Sequence, residues 1–179
     1  MFRDRRQERR EERRGGGADH YRMRQKLVSI GDDYWIENDR RERVYKVDGK
    51  ALRLRKTLIF EDARGAELVK IQERMLRARD TMEIEDRAGN RVAMVKKAMI
   101  TPVRERWTVK IADGPDMEVK GNILDHEYTI EDGRAKAAEV SKKWFRVADT
   151  YGVEVAPGQD PVVILAVTAV LDTMAYPER

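Results

Sequence analysis

The feature that most constrains the fold is one long apolar run near the C-terminus. Residues 162–171 read VVILAVTAVL in a chain of which 39% of residues are charged. Asp160 and Pro161 precede the run as the N-cap and first-turn proline that are typical of a helix start. Because apolar residues occur on every side of this helix, it must be buried on every side. Ten helical residues rise only about 15 Å, half of the roughly 30 Å of a bilayer core. The run predicts a helix wrapped by the rest of the chain, and no transmembrane segment.

The rest of the chain shows the two-residue period of half-buried strands. Residues 81–85 and 106–111 alternate polar and apolar side chains. Between such runs lie short clusters of Asp, Asn and Gly, the residues that cap tight turns or adopt positive φ. These clusters occur at 48–49, 62–65, 86–90, 113–115 and 132–133. About ten to twelve short strands are predicted between residues 23 and 155, spaced as in a closed or nearly closed barrel.

A weak internal repeat supports this arrangement. Residues 60–62 (Phe-Glu-Asp) recur at 84–86 (Ile-Glu-Asp), a shift of 24 residues, with a glycine three positions after each Asp. Residues 36–44 fit the same frame with Arg41 in the glycine position, and residues 130–132 fit it with a turn one residue shorter. Each unit is a strand, an Asp-containing turn, and a second strand. Such units cannot bury a face alone, so they must share one core. The C-terminal helix is expected to fill it.

The first twenty residues differ in composition from the rest. They are almost devoid of apolar side chains and contain three consecutive glycines. A segment of this kind cannot bury enough surface to offset the entropy of ordering. We therefore predict a disordered Arg/Glu-rich tail and Gly linker over 1–20, and one barrel domain over 21–179.

Residues 1–17 carry a net charge of +3, which leaves only +1 for the other residues. A nearly neutral body does not favour nucleic acid as a partner.

Composition also excludes several kinds of site. The chain has no cysteine, which excludes disulfides, thiolate nucleophiles and Cys-type zinc sites. Its two histidines, His20 and His126, cannot build a multi-His metal site within one chain. No Ser-His-Asp set, phosphate loop or dinucleotide fingerprint occurs. We predict a non-enzymatic protein with no catalytic residue, cofactor or metal.

The charged N-terminus lacks the apolar stretch of a secretory signal, which predicts a cytoplasmic location.

Two acidic patterns have alternative interpretations. Residues 125–127 (Asp-His-Glu) could mark a metal or acid–base cluster, but successive strand residues point to opposite faces. His126 would then lie apart from both acids, and we predict a surface turn.

Asp62, Asp86 and Asp132 could suggest calcium, which needs several oxygen ligands at one point. Because these acids are spread one per hairpin, we predict that they cap turns.

Residues in the last quarter of the chain resemble those of a known family. The hairpin series is followed by 140–145 (Val-Ser-Lys-Lys-Trp-Phe), by 149–153 (Asp-Thr-Tyr-Gly-Val), and by the apolar helix that closes with Leu171 and Asp172. In this the chain resembles the LURP-one-related proteins, over about residues 21–176. The resemblance implies a mainly β, tubby-like fold: a closed antiparallel barrel of about twelve strands around one buried hydrophobic C-terminal helix. Tubby-like proteins bind phosphoinositides and phospholipid scramblases are similar in fold, so the resemblance implies a lipid-binding hypothesis and nothing sharper.

The candidate binding residues are basic side chains in pairs. In strands, Arg53 and Arg55 would fall on one face, as would Arg104 and Arg106. Such pairs can hold a phosphate group through charge-assisted hydrogen bonds. The alternative is a solvated outer face that protects the sheet from edge pairing. The full candidate set is Arg53, Arg55, Lys56, Arg104, Arg106, Lys142 and Lys143.

Three functions follow from these observations. The first is a binding module, peripheral at the membrane, that recognises phospholipid or phosphoinositide headgroups through these Lys/Arg pairs. The second is a protein–protein interaction or scaffold role in which the charged N-terminal tail docks on a protein partner. A scramblase-like role is disfavoured, because a short buried helix should not leave the barrel. Four aromatic residues could either anchor at a lipid interface or pack in the barrel core and rim. They are Trp35, Trp107, Trp144 and Phe145. The sequence does not indicate an oligomeric state.

Overall fold

The computed structural model describes residues 17–24, 34–49, 57–73, 81–101, 104–133, 135–145 and 150–176. Within these ranges twelve antiparallel strands close into one barrel, in which each strand pairs with its neighbours in the chain and β1 pairs with β12. The strands are β1 (Asp19–Arg24), β2 (Tyr34–Asn38), β3 (Arg43–Gly49), β4 (Thr57–Asp62), β5 (Glu67–Glu73), β6 (Thr81–Asp86), β7 (Arg91–Thr101), β8 (Arg104–Ile111), β9 (Met117–Asn122), β10 (Glu127–Glu131), β11 (Lys136–Ser141) and β12 (Thr150–Val155). One helix follows, α1 (Pro161–Ala175). The predicted fold class is confirmed.

The inner face of the barrel is made by the apolar positions of the alternating strands. In β6, Met82 and Ile84 are buried, and in β8, Trp107 and Val109 are buried. The residues between them face outward, as the two-residue period of a strand requires. Strand β1 begins at Asp19, two residues before the predicted domain start. The predicted tail falls almost entirely outside the described residues.

Helix α1 fills the barrel along its axis. Asp160 caps it, with its side chain accepting a hydrogen bond from the amide of Val162 at 2.8 Å. The helix is then buried from Ile164 to Thr173, because the apolar run leaves no polar face. Thr168, the polar residue in mid-helix, donates its hydroxyl to the carbonyl of Ile164 at 3.0 Å. Among the described residues, no helix has both the length and the apolar character to cross a bilayer.

The turns that follow Asp62 and Asp86 use the same hydrogen bonds, and the Asp132 side chain accepts from the amide of Ala135. In the turns after Asp62 and Asp86, the Oδ1 atom accepts from the backbone amides two and four residues further on, at 2.8–2.9 Å. Gly65 and Gly89 follow with φ of +83° and +84°, a conformation that favours glycine. The aspartates therefore cap turns, as predicted.

The same turn recurs where the sequence departs from the Asp-Gly pattern. Asn38 accepts from the amides two and four residues further on, at 2.9 and 3.0 Å. Arg41 occupies the glycine position with a positive φ of 63°. Each of the four repeated hairpins also has a register shift just before its capping residue, between Ile36/Glu37, Phe60/Glu61, Ile84/Glu85 and Ile130/Glu131. The repeat seen in the sequence is thus a repeated bulge and turn.

The barrel has two distinct ends: the helix-entry end, where α1 begins, and the helix-exit end, where α1 finishes. The helix-entry end carries the four capped turns and the start of α1 at Pro161. The helix-exit end carries the last turn of α1, the end of β1, the starts of β2, β10 and β12, and the end of β11. The candidate functional residues that the structure describes lie toward the second of these ends, except Arg43, which begins β3 on the helix-entry side.

Candidate functional site

The predicted basic residues that the structure describes lie toward the helix-exit end. Strand β8 starts there at Arg104, and Lys142 and Lys143 directly follow the end of β11. Strands β9 and β10 separate β8 from β11, so positions 104 and 106 lie on a different part of the barrel wall from positions 142 and 143. The remaining candidates, Arg53, Arg55 and Lys56, lie outside the described residues.

The side chain of Arg106 is part of a surface ion pair. Its Nε atom lies 3.6 Å from Oε1 of Glu118 on the neighbouring strand β9, and both side chains are about half exposed. An exposed pair of this kind contributes little to stability, because water and salt screen it. Arg106 therefore fits the solvated outer face that was the alternative to a phosphate site.

The Lys142/Lys143 pair is organised around one carboxylate, that of Glu127. Glu127 accepts hydrogen bonds from the Ser141 hydroxyl at 3.0 Å and from the Lys142 amide at 3.1 Å, and the Lys143 ammonium lies 3.5 Å away. Burial alone would raise the pKa of Glu127, but these hydrogen bonds and the Lys143 charge outweigh it and hold that pKa below its usual value. Within the described part of the chain, the Lys142 ammonium makes no ion pair with a carboxylate.

Next to these lysines, two aromatic residues fold over the outside of β12 at Gly152. A Cβ atom at position 152 would lie 2.9 Å from the Phe145 ring and closer still to the Trp144 ring, so this packing requires a glycine. The guanidinium of Arg22 lies 4.4 Å from the centre of the Phe145 ring, and His20 approaches Trp144 edge-on. Trp144 nevertheless stays 40% exposed. The aromatic pair therefore forms a ledge that is packed below and open to solvent above.

A cleft of about 340 Å³ lies beside this ledge, between β1 and β2. The described parts of these two strands pair only through Tyr21 with Asn38 and through Arg22 with Glu37, so they separate toward the helix-exit end. There the Tyr34 hydroxyl bridges them, accepting from the Arg24 amide and donating to the Arg22 carbonyl. We call this site the arginine cleft; its lining residues are Arg22, Arg24, Tyr34, Trp35, Glu37, Arg43 and Thr150.

The arginine cleft is electropositive. Arg22 lies 3.7 Å from the Glu37 carboxylate. Arg24 and Arg43 make no ion pair with any carboxylate in the ranges that the structure covers. Because guanidinium groups do not lose their proton in proteins, this charge persists at all physiological pH values. Burial raises the pKa of Tyr34 well above its usual value, so its hydroxyl stays protonated.

At the same end, the structure corrects the prediction of a surface turn at residues 125–127. Asp125 is exposed, but His126 is only 1% exposed. Its Nε2 atom lies 2.7 Å from Oδ1 of Asp172 on α1, and its ring stacks on Tyr151 with 4.3 Å between centroids. His126 has a positive φ of 52°, so the strand alternation assumed for it does not apply. The predicted turn is present, since β10 begins only at Glu127, but its histidine is buried and does not lie at the surface.

The His126–Asp172 pair closes the core and is not an open reaction site. His126 Nδ1 and the Tyr151 hydroxyl have no hydrogen-bond partner among the described residues, and both are shielded from solvent. A substrate could reach them only if this end of the barrel opened. Over the same ranges, no group of three or more acidic or histidine side chains is placed to hold a metal ion.

The three arginines of the cleft were not singled out from the sequence, although one signal was present. Arg22 and Arg24 are spaced two apart in a strand, like Arg104 and Arg106. Arg43 and Trp35 come from other strands, and only the pairing of β1, β2 and β3 brings them to the same cleft.

Comparison with known proteins places the chain in a family. A family model described as LURP-one-related matches residues 20–172. The uncharacterized protein YxjI of Bacillus subtilis (strain 168) is 28% identical over 154 residues, which are 86% of this chain and 92% of that protein. The X-ray structure of a protein from Arabidopsis thaliana is similar with a TM-score of 0.65 and 18% identity, covering 91% of this chain and 96% of that one. At this identity the second likeness shows the fold alone. Because the family model spans most of the chain, the chain belongs to the LURP-one-related family.

Proposed function

We propose that this protein is a non-enzymatic binding module that recognises anionic phospholipid headgroups with its helix-exit end. The observation that carries the proposal is the placement of exposed apolar side chains. The large apolar side chains that the described residues leave exposed are Leu124, at 55%, and Trp144, at 40%. Leu124 lies in the β9–β10 turn and Trp144 follows β11, so both belong to the helix-exit end.

Cations without a counter-charge lie at the same end. Lys142 is next to the aromatic ledge, and Arg24 ends β1 beside it. Apolar side chains flanked by such cations are the combination that binds an anionic membrane surface, where each Lys or Arg contributes about 1 kcal/mol. The predicted residues Lys142, Lys143 and Arg104 would add to this surface.

The helix-entry end offers a matched contrast. Its turns place acidic and basic residues side by side, as in Asp62 with Arg64 and Asp86 with Arg87. The aspartate oxygens there are occupied by backbone amides. In the described residues, no large apolar side chain is exposed at that end. A membrane-facing role therefore favours one end of the barrel over the other.

Three of the predicted site residues lie outside the described ranges but can be tested in the same experiment. Strand β3 ends at Gly49 and β4 begins at Thr57, both at the helix-exit end, and Arg53, Arg55 and Lys56 fall between them in the chain. We propose that they contribute to the same basic surface. A location at the cytoplasmic face of a membrane is part of this proposal.

Flotation with liposomes tests it. Full-length protein is mixed with three kinds of vesicle: phosphatidylcholine alone, phosphatidylcholine with phosphatidylserine, and phosphatidylcholine with a phosphoinositide. Each mixture is prepared at low and at physiological salt. We expect binding to anionic vesicles that is lost in K142E/K143E and in R53E/R55E. The control R64E/R87E makes the same change of charge at the helix-entry end and should bind like the original chain. Equal loss in the control, or no binding to any anionic vesicle, would overturn the proposal.

The alternative is a protein-interaction module that docks through its N-terminal tail. Seven arginines within residues 1–17 support it, because they could engage an acidic partner. Replacing Arg9, Arg10, Arg13 and Arg14 with glutamine in the full chain separates the two functions. Vesicle binding by the helix-exit end should survive this change, whereas capture of a protein partner through the tail should not.

A further inference from the structure

We propose that the arginine cleft is a binding site for a phosphate group, carried either by a lipid headgroup or by a soluble phosphate compound. The inference stands on the geometry of the cleft and does not require that the protein docks on a membrane. It assigns a ligand class to residues that the sequence did not single out, chiefly Arg24 and Arg43.

The two guanidinium groups that lack a carboxylate flank the cleft. Strand β2 lies between β1 and β3, so Arg24 on β1 and Arg43 on β3 stand on either side of Trp35 on β2. Thr150 on β12 adds a hydroxyl to the lining. Charged and neutral donors from four adjacent strands therefore surround one gap in the barrel wall.

The charge of the cleft favours an anion. Of its charged side chains, Arg22 is opposed by Glu37 at 3.7 Å, whereas Arg24 and Arg43 have no carboxylate in ion-pair contact among the described residues. Two like charges at one concave site repel each other, and a bound anion removes that repulsion. Guanidinium groups bind phosphate oxygens through paired, charge-assisted hydrogen bonds that are stronger than neutral ones.

The shape of the cleft favours phosphate over a carboxylate. A carboxylate presents two oxygens in one plane, whereas a phosphate group presents three acceptor oxygens in different directions. Donors that approach from opposite sides of β2 can therefore each bind a different oxygen of a phosphate group. The volume of about 340 Å³ lies at the small end of known ligand sites, which suits a phosphate and a small attached group.

Two of the three guanidinium groups of the cleft, those of Arg22 and Arg43, lie over aromatic rings. The guanidinium of Arg43 lies 5.3 Å from the centre of the Trp35 ring, and that of Arg22 lies 4.4 Å from the centre of the Phe145 ring. Such contacts orient the donors and lower the entropy that binding would otherwise cost. They also make Trp35 an optical reporter of the site.

Titration of the full-length chain with inorganic phosphate and with pyrophosphate tests the inference, using calorimetry and tryptophan fluorescence. We expect saturable binding of pyrophosphate that is at least about tenfold weaker in R24Q/R43Q, as the loss of one charge-assisted hydrogen bond predicts. The matched control R64Q/R87Q removes two exposed arginines from the helix-entry end and should bind within about twofold of the original chain. The variant R24K/R43K keeps the charge but loses the paired donors, so it should bind with intermediate affinity.

Melting curves establish that each variant is folded, and the single variant R24Q replaces the double variant if that one does not fold. No saturable binding of pyrophosphate, or equal weakening in the control, would overturn the inference. Adding phosphoinositide vesicles then identifies the source of the phosphate. Competition between vesicles and pyrophosphate supports the site with a lipid headgroup as its ligand. Vesicle binding that is unchanged in R24Q/R43Q, while pyrophosphate binding is lost, supports the site with a soluble phosphate compound.

Discussion

The imidazole of His126 lies 2.7 Å from the carboxylate of Asp172, although the two residues are 46 positions apart in the chain. His126 belongs to the turn before β10, and Asp172 belongs to the last turns of α1. Both side chains are at most 2% exposed. At the same place, the Tyr176 hydroxyl donates to the carbonyl of Leu124. The exit of the helix is therefore held to the barrel wall by polar contacts at the edge of an apolar core.

Replacing Asp172 with alanine should lower the free energy of unfolding by about 3 kcal/mol. The change removes the hydrogen-bond partner of a buried imidazole, and such groups are costly to leave unsatisfied. Urea unfolding followed by circular dichroism measures this loss. Asp113, exposed in the β8–β9 turn, is the control, and D113A should change the free energy by no more than about 0.5 kcal/mol. Equal costs for the two variants would show that the His126–Asp172 contact does not stabilise the barrel.

Replacing Leu165 with aspartate should prevent folding. Leu165 is fully buried in the middle of α1, and an unpaired charge cannot be accommodated there. The milder L165A should fold with a loss of about 3–5 kcal/mol, as is typical of large cavities. The control is V162D, in the partly exposed first turn, where a negative charge is favoured by the helix dipole. A folded L165D with an unchanged melting temperature would contradict the central position of the helix.

Asp86 should be replaceable by asparagine but not by alanine. Asn38 already makes the same turn contacts through its amide oxygen, so D86N keeps the acceptor that D86A removes. At neutral pH the original chain should therefore have the highest melting temperature, D86N a lower one and D86A the lowest. If D86A and D86N melted together, the hydrogen bonds of the Asp86 side chain would not stabilise the turn.

The pH dependence of these variants has a definite sign. Hydrogen bonds from the side chain and backbone of Asn90 hold the pKa of Asp86 below its usual value. A carboxylate whose pKa is lowered by folding contributes stability above its unfolded pKa of about 4, and that contribution is lost as the pH falls through the folded pKa. The advantage of the original chain over D86N should thus shrink below about pH 4, as melting curves across pH would show. An advantage that grew in acid would contradict the assigned role of the carboxylate.

Replacing Gly152 with alanine should displace the aromatic ledge. The new Cβ would come within 2.9 Å of the Phe145 ring and closer to that of Trp144, so at least one ring must move outward. We expect easier acrylamide quenching of Trp144 and a lower melting temperature. In a W144A background the same change at Gly152 should cost less, because one of the clashing rings is gone. Additive effects of the two substitutions would show that Trp144 does not pack on Gly152.

Local features of the chain could be predicted well. The N-cap at Asp160, the back-bonding of Thr168 and the left-handed turn position of Arg41 each depend on a few neighbouring residues. The burial of His126 could not be predicted, because its partner Asp172 lies 46 positions further along the chain. Arg22 and Arg24 had the spacing of a basic pair, but nothing in the sequence distinguished them from Arg104 and Arg106.

Periodicity and turn chemistry act over a few residues, and for this reason the hairpin series, its capped turns and the single buried helix can be predicted from the chain alone. Which polar groups meet depends on the assembled barrel. The arginine cleft exists because β1 and β2 separate after two residue pairs, and the His126–Asp172 contact exists because α1 runs through the barrel to the β9–β10 turn. Both depend on the register of strands that are far apart in the chain, and no local pattern encodes that register.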